Sequence, residues 1–209
     1  MRLYNYVGSA NGYKAELLLA LLGVTYERVE VSIFEGASRT PEFLRKNPAG
    51  RIPVLELDDG TCLPESNAIL WHLARGTPFL PAAPIDQDRA LAWLMFEQYE
   101  IEPVIGTARY WILTGRDRAH PDELARRLTA GTQALVGLDS ALADRPFFVG
   151  DRASIADLAL YAYTHLAGDA GLELGPRLAA WCKRIEALPG YVAGPGPYDR
   201  LAYVTPPAS

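Results

Sequence analysis

Glu65 and Ser66 stand side by side just ahead of the apolar run Ala68-Ile69-Leu70-Trp71, where a helix should begin. A serine hydroxyl and the open N–H groups of a first helical turn can hold a carboxylate, while a neighbouring glutamate attracts an ammonium. The pair therefore suits the head of an α-amino acid; as a helix cap alone it is worth roughly 1 kcal/mol. Upstream, Ser9 and Asn11 in Gly8-Ser9-Ala10-Asn11 lie between a strand-like and a helix-like segment, where both residue types serve as caps or as donors to a ligand. Lys14 follows. A cation there opposes the helix dipole by about a few tenths of a kcal/mol, and solvent is its expected place. Pro53 interrupts the branched apolar run Ile52–Leu57, although proline has no N–H for a ladder and belongs at edges, strand starts or bulges. Cys62 and Cys182 fit no CxxC or Cys/His spacing, and His72, His120 and His165 are scattered, so neither a disulfide framework nor a metal site is expected.

These residues need elements to position them. Arg2–Tyr6 reads as a strand, a glycine-containing turn follows, and Lys14–Leu22 has helical spacing ended by Gly23. A strand over Tyr26–Val31 comes next, then a short helix opened by Thr40-Pro41-Glu42 and closed before Pro48. Ile52–Leu57 and Thr61–Leu63 form a hairpin across Asp58-Asp59-Gly60, and Glu65-Ser66 open a helix to about Arg75. This β-α-β-α-β-β-α order predicts one small α/β domain over residues 1–76. The Pro-rich stretch at 77–84 reads as a linker, and no strand pattern follows it. Residues 85–209 are expected to be all-helical: a long segment bent near Pro103, another over His120–Ala143, one launched by Ser154-Ile155-Ala156-Asp157, and a last over Pro176–Ala187. The Pro-, Gly- and Tyr-rich tail is expected to be irregular.

Of the 209 residues 49% are hydrophobic and 22% charged, and the formal net charge of −5 disfavours nucleic acid or an anionic membrane as partner. No leader pattern or bilayer-length apolar run is seen, and a cytoplasmic protein is expected.

Three motifs in order, "GSANGYKAELLLALLG", "RTPEFLRKNPAGRIPVLELDDGTCLPESNAILWHLA" and "FFVGDRASIADLALYAY", make the chain resemble the glutathione S-transferase superfamily, theta-like bacterial members included, over essentially its whole length. The resemblance implies a thioredoxin-like N-terminal domain, an all-α C-terminal bundle, a homodimer, and glutathione as co-substrate with no metal. Pro53 then corresponds to the family's cis-proline, with Ile52 binding glutathione through its backbone, and Glu65-Ser66 hold the γ-glutamyl end. Ser9 takes the position of a catalytic serine whose hydroxyl donates to the sulfur; Asn11 can act beside it or in its place, and Tyr6 is the rival. A free thiol titrates near pH 8.5, and each unit of lowering needs about 1.4 kcal/mol of thiolate stabilisation, which a hydroxyl and a helix N-terminus can supply.

Arg39 and Arg51 are candidates for the glycyl carboxylate, where the chain departs from its relatives: Ser38 stands where many members carry a histidine. Tyr99, Pro103, Gly106 and Tyr110 fall on one helical stripe, and the missing side chain at Gly106 leaves room for an apolar electrophile. Glu97 and Gln98 are candidates for reaching a partner subunit's glutathione. The implied activity is a detoxification-type transferase. The alternatives are a glutathione-dependent disulfide or peroxide reductase, an isomerase, or a non-catalytic binding module with the same fold.

Overall fold

The structure, a computed structural model, describes residues 1–204. It divides into two compact units: Met1–Arg75 with Pro189–Ala202, and the chain from Gly76 to Leu188 with residues 203–204.

The first unit is built on a four-stranded sheet in the order β2-β1-β3-β4, from β1 (Arg2–Asn5), β2 (Glu27–Glu30), β3 (Val54–Glu56) and β4 (Cys62–Pro64). β1 runs parallel to β2 and antiparallel to β3, with Leu3 opposite both Arg28 and Leu55. The β3–β4 hairpin pairs Leu55 with Leu63 around Gly60, whose φ of 84° suits glycine. Pro53 stands just ahead of β3, so its missing N–H removes nothing from the ladder.

The first helix, α1 (Ala10–Leu21), starts four residues earlier than its spacing predicts. Ser9 explains the difference: its Oγ accepts the Gly12 N–H at 3.0 Å, capping a helix that takes in Asn11 and Gly12. α1 is buried nearly all round, including Tyr13, Ala15 and Leu17–Leu19. A helix without a polar face belongs in a core, and each enclosed leucine contributes about 2 kcal/mol. Thr40 Oγ1 accepts the Phe43 N–H to cap α2 (Pro41–Lys46), and α3 (Ser66–Ala74) closes the unit's chain order. Leu3, Ala15, Leu19, Leu55 and Ile69 form one core cluster, and Val31, Phe43 and Val54 a second.

The tail, read from sequence as the end of the helical part, instead straps the first unit. The Gly196 N–H donates to Val7 O at 2.9 Å, the Tyr13 hydroxyl to Val192 O at 2.7 Å, and Tyr198 stacks on Tyr6.

The second unit is helical. α4 (Pro84–Phe96) runs into a π-helical stretch, Glu97–Gly106, and on into α5 (Thr107–Thr114). The π stretch contains Pro103, which has no N–H to donate, so the bend expected there takes the form of a change in helical pattern. α6 (Pro121–Leu142), α7 (Ile155–Thr164) and α8 (Pro176–Glu186) complete it. α7 is buried along its whole length and packs against α4, the π stretch and α8. No helix among the described residues is long and apolar enough to cross a membrane.

Candidate functional site

The residues with chemical promise in the first unit converge where α1 and α3 begin. Ser66, at the first position of α3 and 4% exposed, donates from Oγ to Asn11 Oδ1 at 3.1 Å. Lys14 Nζ donates to the same Asn11 oxygen at 2.9 Å and lies 3.5 Å from Ser66 Oγ. The lysine is fully buried, which overturns its expected place in solvent. Asn11 and Lys14 sit three residues apart on one helical face, the lysine fully enclosed and the asparagine partly exposed.

Glu65 precedes α3 with φ 71° and ψ 114°, a conformation non-glycine residues avoid and one that costs roughly 1–3 kcal/mol. Its carbonyl accepts the Ile69 N–H at 2.9 Å, and its side chain remains exposed beside the open first turn of α3. An exposed carboxylate beside that turn offers opposite charges to an ammonium and a carboxylate.

The Ile52–Pro53 bond is cis. Ile52 is half-buried, and the turn that delivers it is held by Asn47, which sequence reasoning missed. Asn47 is buried; its Nδ2 donates to Arg51 O at 2.7 Å and its Oδ1 accepts the Ala49 N–H at 3.1 Å. The available signal was the Asn-Pro-Ala-Gly sequence, whose residue types build such turns. Arg39 belongs to the same turn: its guanidinium donates to Ala49 O at 3.0 Å and fills the space beside Gly50. Arg39 and Arg51 are both exposed, whereas Ser38 is buried in the short Ala37–Arg39 turn.

Tyr6 is placed differently from its rivals Ser9 and Asn11. It is buried, its hydroxyl oxygen accepts the Asp199 N–H at 2.6 Å, and burial pushes that hydroxyl up to about 12. Such a group stays protonated and is enclosed by the tail. Ser9 and Asn11 are both partly exposed.

The stripe expected to wall a substrate pocket in the second unit is divided by its surroundings. A methyl group added at Gly106 would lie 2.5 Å from the Tyr163 ring, so that ring already fills the space the missing side chain leaves. Tyr99 is 80% exposed, and Tyr110 is half-buried with the Arg116 guanidinium 4.9 Å above its ring. Glu97 is fully buried and accepts from Gln98 Nε2 at 2.9 Å, so it does not offer itself to a partner subunit. Burial pushes the Cys182 thiol up to about 12, which removes it as a nucleophile at neutral pH.

Residues 1–75 match the family described as "Glutathione S-transferase, N-terminal domain", and residues 121–184 the one described as "Glutathione S-transferase, C-terminal domain". A maleylacetoacetate isomerase of Rhizobium meliloti is 33% identical over 198 residues, covering 90% of this chain and 92% of its own. A solved glutathione S-transferase from Pseudomonas fluorescens superposes with a TM-score of 0.90 at 45% identity, covering 92% of this chain and 97% of that one. Ure2p in complex with glutathione superposes at 0.82 with 27% identity, covering 90% and 95% respectively.

Proposed function

Since the chain belongs to the glutathione S-transferase family, we propose that its first unit binds glutathione and activates the thiol for attack on a small hydrophobic electrophile. The observation that carries this reading is the junction of Ser66 with Asn11 at 3.1 Å, which makes a carboxylate-holding helix start adjacent to the candidate thiol donors. Glu65 and Ser66 take the γ-glutamyl head, Ile52 pairs with the peptide backbone ahead of β3, and Arg39, Arg51 or Ser38 meets the glycyl end. Ser9 or Asn11 donates to sulfur, the thiol proton leaves to solvent, and sulfur forms its bond to carbon as the electrophile's leaving group departs with its electron pair.

The test is retention on immobilised glutathione together with conjugation of a chlorinated nitroaromatic. Retention and turnover are expected, with Ser9→Ala or Asn11→Ala lowering turnover while binding persists; a chain that ignores glutathione overturns the proposal. Isomerisation by the same thiolate is a second reading, favoured by the likeness to a maleylacetoacetate isomerase. Turnover of an unsaturated diacid without net consumption of glutathione would select it.

A homodimer is part of the proposal. Leu91, Met95 and Tyr99, spaced four apart along α4 and into the π stretch, are exposed by 39%, 63% and 80%. Large apolar side chains exposed at this spacing suit a protein partner better than water. Met95→Glu is expected to halve the mass seen by light scattering, and an unchanged dimer would show that the contact lies elsewhere.

A further inference from the structure

We infer that Lys14 is a positioning residue for thiol activation, holding the Asn11 amide so that its NH2 edge, not its oxygen, is offered to the glutathione sulfur. The inference rests on the glutathione reading above and names which donor acts and what orients it.

Lys14 is in an unfavourable place twice over. It is fully buried, and it lies near the N-terminal end of α1, where the helix dipole repels a cation. A methionine would fill similar volume without either penalty. What the lysine provides is a strong donor to the Asn11 amide: Asn11 Oδ1 accepts Lys14 Nζ at 2.9 Å and the Ser66 hydroxyl at 3.1 Å. Turning the amide over would press its NH2 group against the Lys14 ammonium, which can donate but not accept, so a single orientation survives. A planar amide with its oxygen fixed presents its two N–H bonds on the opposite edge. A cation on that oxygen also draws electron density from the N–H bonds, strengthening them as donors to a thiolate. Ser9 serves beneath this arrangement: by accepting the Gly12 N–H at 3.0 Å it fixes the helix start on which Asn11 is carried.

Glu16 on α1, engaged by Asn5 and Arg28, and Glu65 at the start of α3 are charged groups on the same elements. The measurement is therefore made on the bound sulfur. In the full chain saturated with glutathione, the pH midpoint of the thiolate's ultraviolet absorbance is compared for the unaltered protein, Lys14→Met and Lys14→Gln, with affinity followed by calorimetry. Lys14→Met is expected to raise the midpoint by about one pH unit, leaving about tenfold less thiolate at neutral pH. Its kcat/KM should fall about as far through kcat, while glutathione remains bound. Lys14→Gln, which restores an N–H donor without the charge, is expected to recover part of the shift. A folded, glutathione-binding Lys14→Met with an unmoved midpoint would overturn the inference. If Lys14→Met does not fold, Asn11→Ala decides: it keeps the lysine and must raise the midpoint at least as far, and no rise there overturns the inference as well. Failure of the unaltered chain to bind glutathione would instead sink the function proposed above, and this assignment with it.

Discussion

Gly12→Ala is expected to destabilise the first unit by about 3 kcal/mol or more, read as a lowered urea midpoint. The sign is what makes the experiment informative, because glycine to alanine inside a helix ordinarily gains about 1 kcal/mol. Gly12 lies within α1 and has no need of a left-handed backbone. Its reason is proximity: an added Cβ would fall 1.7 Å from Asn5 Oδ1 and 2.0 Å from Asn5 Cγ. Asn5 cannot yield easily, since it is fully buried in β1 and its Nδ2 donates to Glu16 Oε1 at 3.0 Å. Either the amide leaves that bond or α1 lifts away from the sheet, taking Ser9, Asn11 and Lys14 with it. Glutathione affinity should fall along with stability. An alanine variant as stable as the parent would show that α1 can shift without cost, contrary to the packing described.

The same glycine shows what was legible in the sequence. Caps, turns and breakers act through a few neighbouring residues, so Thr40-Pro41, Asp59-Gly60, Gly23 and Ser154-x-x-Asp157 identified their elements from local chemistry alone. Gly12 did not, because a glycine required for close approach looks the same in sequence as one required for a turn; reading it as a turn moved the start of α1 to Lys14. Lys14 then seemed to belong at an exposed helix end. In a helix buried nearly all round, with Lys14 itself enclosed, there is no such end, and the near absence of polar residues from Tyr13 to Leu22 was the available warning. Gly106 is harder. The Tyr163 ring that occupies its gap comes from α7, and no periodicity within the π stretch refers to α7. The tail carries no period at all, so its attachment through Val7, Tyr6 and Tyr13 is set by tertiary contacts alone. Elements follow from short-range signals, whereas the partners of a given side chain follow from the fold.

Asp157→Ala is expected to cost the second unit about 4 kcal/mol, because it strands donors that have no water to turn to. Asp157 is fully buried at the start of α7. Its Oδ1 accepts the Phe148 N–H and the Trp181 indole N–H, each at 3.0 Å, and its Oδ2 accepts the Ser154 N–H at 2.9 Å and the Ser154 hydroxyl at 3.0 Å. One carboxylate thus ties the loop before α7, the start of α7 and the aromatic core of α8 together. Three of its donors are N–H groups on residues with 3% exposure or less, and each costs roughly 1–3 kcal/mol when left unpaired in the interior. Asp157→Asn keeps one oxygen for two of them and is expected to lose about half as much. Burial pushes the Asp157 carboxyl up while the four donors pull it back, and burial is the larger influence. A carboxyl held above its unfolded value favours the folded state most at low pH and loses that contribution as pH rises through the raised value, so acid is not expected to release this cap. Hydrogen exchange along α7 reads the effect directly: protection should collapse in the alanine variant, fall partway in the asparagine variant, and hold in the parent from neutral to mildly acidic pH. Full protection in Asp157→Ala would mean that the donors find other acceptors and that the carboxylate is not what fastens α7 to α8.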